Sequence, residues 1–340
     1  MKVLTIGDQH FQPTNIEDIE KFIYELENHL EKNKYDIIVS MGDLLDKHGT
    51  VNVLTLNRAV DYLKMLKKYA KTYVLVGNHD MINANQFLTS NHWLYPLKGI
   101  DDNLIIVDTV INNVYGNLNF TFCPFVPNGR FIEALYTIDD WKNSTCIFAH
   151  QTIDGAKYNG IVVDDSDEWK PDFPLCVSGH IHGPQEVAKN FIYVGSAFHL
   201  DSSTSTKRML SIEWNEKERL KREIKDIHLN ILVHKVINTT LSEVESYEYV
   251  NKNEKIRFRV ECTENDFKTF KKSNKYKELI KMGIKIDPVI NRDNNLEFDN
   301  NDKKTFLEIL EDDLQDDELY VLYREIVYGD YKDAIVELDE

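Results

Sequence analysis

Apolar, β-branched runs of strand length end repeatedly on a glycine followed by an aspartate, asparagine or histidine, and amphipathic helical patterns fill the first gaps between them. KVLTI leads into GDQH at 7–10, DIIVSM into GDLLD at 42–46, and TYVLV into GNHD at 77–80. Further on, STCI leads into FAHQ at 148–151 and PLCVS into GHIH at 179–182. Between the first two tips, Thr14 to Lys34 places Ile16, Ile19, Phe22, Ile23, Leu26 and Leu30 on one face, with Thr14 and Glu17 at capping-box spacing. Val51 to Tyr69 repeats the helical pattern before the third strand. This β-α-β-α-β rhythm predicts a layered α/β domain, in which the carboxyl ends of strands are where ligand sites assemble.

The later runs NLIIVD, NFTFCPF, STCIFAH, PLCVSGH, FIYVGS and MLSIEW are strand-sized with fewer helices between them, which implies a second sheet. The polar, acidic segment 151–172 reads as a long loop over one edge. After Trp214 the character changes. NEKERLKREIKD reads as a charged linker, ILVHKVI and KIRFRVEC as strands, and DFKTFKKSNKYKELIKMG as a helix. The expected organisation is a main domain over 1–215, a small α+β domain over 225–300, and a helical segment over 302–340. INRDNNLEFDNND is polar, as linkers are. Beyond it, Lys303 to Tyr328 carries Phe306, Leu307, Leu310 and Leu314, then Leu319, Leu322, Tyr323 and Ile326, at helical spacing.

A hydrophobic content of 42% over 340 residues suffices for a full core. The longest apolar runs, such as Leu104 to Val107, fall far below the ~18 residues that cross a bilayer. With no signal-like stretch at the N-terminus, a soluble cytoplasmic protein without membrane contact is expected, in the host cytoplasm if the source is viral. Cys123, Cys146, Cys176 and Cys262 lack paired spacing and signal neither a zinc ribbon nor a disulfide framework. The net charge of -17 argues against loose binding to nucleic acid, but it is unevenly placed. Residues 1–215 carry -9, 216–300 carry +2 and 301–340 carry -10. A phosphate-contacting surface outside the strand tips is therefore expected on 216–300. There Arg257 and Arg259 share one strand face, and Lys268, Lys271, Lys272 and Lys275 cluster on a helix.

A lone aspartate after a strand is usually a turn former, and a lone histidine such as His29, His92, His199 or His234 is usually a surface or satisfied core residue. Five metal-capable clusters in this order form a constellation instead. Two divalent ions held ~3.5–4 Å apart polarise a phosphoryl group and activate water, and an anionic oxygen between them offsets both charges. Asp43 is the candidate bridge. On an extended strand end residues i and i+2 point the same way, so Asp8 with His10, and His180 with His182, suit shared ligation. Imidazole with carboxylate suits manganese, iron or zinc, whereas magnesium prefers oxygen alone. The glycines ahead of the ligands, Gly7, Gly42, Gly77 and Gly179, allow close backbone approach.

The set D-x-H, GD, GNH, H and GHxH resembles the calcineurin-like metallophosphoesterase superfamily. Within it, the chain is most similar over its whole length to the SbcD-type (meiotic recombination eleven-like) DNA repair nucleases, especially their short bacteriophage recombination forms. The resemblance implies an α/β/β/α metallophosphoesterase sandwich, a small α+β capping domain that contacts DNA, and a C-terminal helical segment that grips an SbcC-type coiled-coil ATPase through 303–328. It implies two divalent ions, manganese foremost, with Asp8, His10, Asp43 and His182 on one and Asp43, Asn78, His150 and His180 on the other. His79 matches the position that assists the leaving oxygen, and Asp80 is expected to orient it. The implied activity is that of a DNA exonuclease and endonuclease subunit in recombination, repair or end processing, and the chain can pair as a homodimer. Gln12, Gly195-Ser196-Ala197 and Lys207-Arg208 depart from the family pattern without touching a ligand position. Two other readings remain: a phosphatase or cyclic-nucleotide phosphodiesterase, and an inactive phosphoesterase-fold scaffold that binds proteins.

Overall fold

In the computed structural model the chain enters on β1 (Lys2–Ile6), whose alternation sends Leu4 and Ile6 to one core and Val3 to another. The structure describes residues 1–158, 160–200, 206–248 and 253–290. Pro13 then opens a 3-10 turn, with Gln12 and Asn15 as its reciprocal capping pair, so α1 (Ile16–Lys32) starts later than the Thr14–Glu17 spacing predicts. Its buried face is Ile19, Phe22, Leu26 and Leu30, as expected. Next come β2 (Ile37–Ser40), α2 (Val53–Tyr69), β3 (Lys71–Leu75) and β4 (Leu104–Val107). The strands β1 to β4 are parallel, and the Asn52 side chain caps α2 by accepting from the Leu54 and Thr55 amides.

The chain then builds a second sheet. Its strands are β5 (Ile111–Tyr115) and β6 (Leu118–Cys123), then, after the short α3 (Phe131–Leu135), β7 (Cys146–Ala149). A small hairpin, β8 (Lys157–Tyr158) and β9 (Ile161–Val162), precedes β10 (Leu175–Ser178), β11 (Gln185–Ala188) and β12 (Phe191–Tyr193). Strand order is β11-β12-β10-β7-β6-β5. β13 (Met209–Trp214) and β14 (Arg222–Ile227) return to the first sheet, whose order is β14-β13-β1-β2-β3-β4. The segment read as a charged linker therefore contains an edge strand, and the sandwich continues past residue 215 to Ile227. An edge strand with one solvated face needs few apolar residues, so its charges hide it from a hydrophobicity reading.

The two sheets face each other across Val3, Val39, Tyr73 and Leu75 on one side and Phe120, Phe122, Phe148 and Val177 on the other. Tyr73 and Phe122 stack there with ring centroids 3.9 Å apart. The helices α1 and α2 cover the outer face of the first sheet through Phe22, Leu26, Tyr62 and Leu66, and Phe131, Trp141 and Trp169 cover that of the second. These layers make an α/β/β/α sandwich.

The small domain consists of β15 (Val233–Thr240), α4 (Leu241–Ser246), β16 (Glu254–Cys262), α5 (Glu264–Phe270), α6 (Asn274–Lys281) and β17 (Lys285–Ile290), with sheet order β15-β16-β17. Ile256, Phe258, Val260, Phe267, Phe270 and Leu279 are in its core. The single helix expected over 266–283 is two, because Ser273 caps α6 by accepting from the Tyr276 amide. The small domain is tied to α1 through Asp18, which accepts from Lys255 Nζ at 2.7 Å and lies 2.8 Å from His234 Nε2. The segment 302–340, including the apolar pattern of 303–328, lies outside the described residues. Among the described residues no helix is long and apolar enough to cross a membrane.

Candidate metal centre

Five strands deliver the site: β1, β2 and β3 from the first sheet, β7 and β10 from the second. The loops beyond them are stitched together by their backbones. His10 N donates to Asp43 O at 2.9 Å and Phe11 N to Leu44 O at 2.8 Å, which fixes the tip of β1 against that of β2. Asp43 Oδ1 accepts from the His79 amide and Asp8 Oδ1 from the His180 amide, each at 2.8 Å. Three donor residues sit in left-handed backbone, His10 (φ 42°), Asp43 (φ 52°) and His180 (φ 79°). Each such residue costs about 1–3 kcal/mol and persists where its surroundings over-determine it. Gly42 and Gly77 are required by approach: a Cβ on Gly42 would meet the His150 ring, and one on Gly77 would meet Asp43.

The side chains converge from both sheets. His150 Nε2 lies 3.3 Å from Asp43 Oδ2 and 3.2 Å from Asn78 Oδ1, and His180 Nδ1 lies 2.9 Å from the same amide oxygen. His10 Nε2 lies 3.4 Å from Asp43 Oδ2 and 3.0 Å from His182 Nε2. Three groups of donor atoms result among the described residues: Asp8 with His10 and His182, Asp43 with His150 and His180, and His10 with Asp46 and His79. Asp43 reaches a histidine of each group, the position a bridge requires.

The electrostatics describe a cluster short of positive charge. Burial, helped by Asp43, pushes Asp8 up to about 6, and its Oδ2 is buried without a hydrogen-bond partner. Burial works to raise Asp43 as well, but His150, His10 and His79 together hold it well below the usual carboxylate range. Although burial opposes it, His150 rises to about 9 through Asp43 and Asp8, while burial and then the charge of His150 lower His180 to about 3. An orphaned buried carboxylate oxygen and two imidazole nitrogens facing each other are satisfied together by a cation. The imidazole, carboxylate and amide donors fit divalent transition ions.

Asp80 does not reach the His79 ring that the sequence expects it to orient: its carboxylate accepts from the amides of Gly77 (3.0 Å), Leu44 and Leu45 (3.2 Å each) and from the Trp93 indole (2.7 Å). It clamps the β2 and β3 tips together, which an isolated GNHD motif cannot reveal. His79 is oriented by the Asp46 carbonyl, which accepts from Nδ1 at 2.5 Å, and by the exposed His48 ring stacked at 4.5 Å. Sequence reasoning missed both of these residues. Asp46 also sets a carboxylate oxygen 3.4 Å from His10 Nδ1, and its place in GDLLD, with Asp43 at i and Asp46 at i+3, was the available signal.

The basic residues of the small domain are not gathered into one site. Arg257 pairs with Asp287, Lys268 with Glu264 at 2.6 Å and Lys275 with Glu278 at 3.6 Å. Lys271 lies over the Phe267 ring, and Arg259 and Lys272 have no acidic partner among the described residues. Arg257 also lines a cleft of about 450 Å³ against residues 12–18, where Asn15 Nδ2 donates to the His10 carbonyl at 3.0 Å.

The family model and the two viral relatives agree on one class. The family described as calcineurin-like phosphoesterase matches residues 1–184. "Putative phosphoesterase 244L" of Invertebrate iridescent virus 6 is 38% identical over 278 residues, covering 80% of this chain and 98% of that protein. "Putative phosphoesterase 078R" of Invertebrate iridescent virus 3 is 35% identical over 294 residues, 84% of this chain and 83% of that one. Among solved structures, a purple acid phosphatase, PPD1 from yellow lupin (Lupinus luteus) seeds, aligns at a TM-score of 0.40 and 13% identity, covering 66% of this chain and 51% of its own. The chain belongs to the calcineurin-like phosphoesterase family, a hydrolase family of divalent-metal sites.

Proposed function

We propose that this phosphoesterase is a two-metal DNA phosphodiesterase, an exonuclease and endonuclease subunit acting in recombination, repair or end processing, with manganese as the preferred ion. The observation that carries the reading is the joining of a donor set drawn from both sheets to an added domain, tied by Asp18 to the helix that follows His10. A small-ester phosphatase has no evident use for that domain. Asp8, His10, Asp43 and His182 would hold one ion and Asp43, Asn78, His150 and His180 the other. When bound, the ions supply Lewis-acid polarisation of the phosphoryl group and activation of water.

The chain's own residues do the rest. Asp8 and Asp43 pin the backbone of the donor loops through one oxygen each, which leaves Asp8 Oδ2 without a partner and Asp43 Oδ2 between the His10 and His150 rings. His79 commits its Nδ1–H to the Asp46 carbonyl, which leaves Nε2 to face the departing sugar oxygen and, when the ring is the doubly protonated imidazolium, to give that oxygen its proton. Phe125 packs against the rings of His180 and His150 and shields that side from water. The tail 303–328, acidic with an apolar face at helical spacing, is the segment offered to an SbcC-type ATPase. Truncation after Asn301 should then abolish co-purification with such a partner while leaving manganese-dependent cleavage of short DNA.

The deciding assay sets end-labelled linear duplex, single-stranded circle and p-nitrophenyl phosphate esters beside each other, with manganese or chelator. Preference for DNA supports the reading. Preference for a small monoester replaces it with a phosphatase, and no turnover with any divalent ion replaces it with a protein-binding scaffold.

A further inference from the structure

Part of the catalytic cavity wall comes from the β8–β9 hairpin region, which the chemistry above leaves without a task. Tyr158, Val163 and Asp165 line the cavity beside Asn128 and Thr152. Tyr158 is 47% exposed, and among the described residues nothing hydrogen-bonds its hydroxyl or stacks on its ring. Its strand partner Ile161 is 72% exposed and Val162 54%. Apolar surface turned to water at the rim of a polar site is the signature of ligand contact.

Lys157 and the base of the hairpin are held by hydrogen bonds. The Gln185 side chain accepts from the Lys157 amide and donates to the Lys157 carbonyl, both at 2.9 Å. Gly155 N to Val163 O (2.8 Å) and Val163 N to Ala156 O (2.9 Å) close its base. Gln185 follows closely on His182, so Tyr158 is held at a defined place relative to the donors.

The chemistry of this wall selects what can meet it. It presents no cation, and Asp165 repels a second phosphate. With the scissile phosphate among the donors, the group reaching Tyr158 is uncharged, flat and partly apolar. The cavity is about 330 Å³, at the lower end of the ~300–1,000 Å³ of small-ligand pockets, which suits one nucleotide and not a duplex. Resting on the DNA reading above, we propose that Tyr158 is a specificity-determining platform on which one unstacked nucleobase of the substrate stacks, with the Asn128 amide placed to meet the base edge. The enzyme then acts on nucleotides splayed from single-stranded or frayed ends.

The test uses the full chain with manganese and two diesters that share a leaving group, thymidine 5′-(p-nitrophenyl phosphate) and methyl p-nitrophenyl phosphate, next to cleavage of single-stranded DNA. Stacking on an aromatic side chain predicts that Tyr158→Ala lowers the ratio of kcat/KM for the thymidine ester over the methyl ester by about 5- to 150-fold, through KM. Tyr158→Phe should keep the wild-type ratio, because the ring acts and not the hydroxyl. An unmoved ratio in Tyr158→Ala, in a protein that still cleaves DNA, overturns the platform and leaves the nuclease reading standing. A wild-type protein that leaves DNA intact and treats both esters alike overturns the nuclease reading, and the platform with it.

Discussion

The metal centre and the basic face of the small domain are both made of charged side chains, and they differ in what holds those charges. At the centre Asp8 and His150 are 0% exposed and Asp43 1%, each fixed by backbone amides, carbonyls or neighbouring donors before any substrate arrives. On the small domain Arg257, Lys268 and Lys275 are paired with acids near them in space, and exposed pairs of that kind contribute about 0–1 kcal/mol. Charge that is buried and over-determined is organised for chemistry. Charge that is exposed and locally neutralised can at most adjust an encounter with a polyanion, and its electrostatic effect is screened by salt.

The comparison breaks first at Asp43. Asp43→Ala should remove both ions and lower kcat/KM more than about a thousandfold, whereas Asp8→Ala should weaken mainly one ion. Metal content by mass spectrometry reads this directly, and two ions retained in Asp43→Ala would end the bridging assignment. His79→Ala should keep both ions and lose about 10²–10⁴ in kcat, as removal of a proton donor does. Loss of metal in that variant would move His79 into the ligand set.

A smaller effect is expected where the two regions meet. Burial works to raise Asp18, but its hydrogen bonds to His234 and Lys255 hold it below the ordinary carboxylate value. A depressed carboxylate contributes stability that is present above its unfolded pKa of about 3.9 and is lost as pH falls through the folded value. Hydrogen exchange of β15 and β16 should therefore quicken below about pH 4, and Asp18→Asn should bring that loosening to neutral pH, at about 1.5–3 kcal/mol. Equal protection in the two proteins at neutral pH would remove Asp18 as the anchor. The smallest effect belongs to the exposed lysines. Charge reversal at Lys271 and Lys272 should weaken DNA binding and flatten the logarithmic salt slope by roughly 2, and an unchanged slope would reduce this face to an ordinary solvated surface.

The buried strands were legible because β-branched runs such as KVLTI and LCVS have one reading when both faces are covered, and α1 because its apolar spacing matches a helix. β14 and the β8–β9 hairpin were not, since a solvated edge leaves no apolar pattern to read. The donor types were likewise local information: the D-x-H and H-x-H spacings flag Asp8 with His10 and His180 with His182, but only the first pair falls in one donor group, and the left-handed backbone at His180 sends His180 and His182 to different groups.

By itself the sequence determined which atoms were available to hold metal and that several strand tips would supply them. Only the tertiary structure decided that Asp80 clamps loops while Asp46 and His48 orient His79, and that Tyr158 looks into the same cavity. The reason is physical. A motif specifies donors and local backbone, but the partner of a buried carboxylate or ring nitrogen comes from a distant strand, and its identity exists only after two sheets have packed.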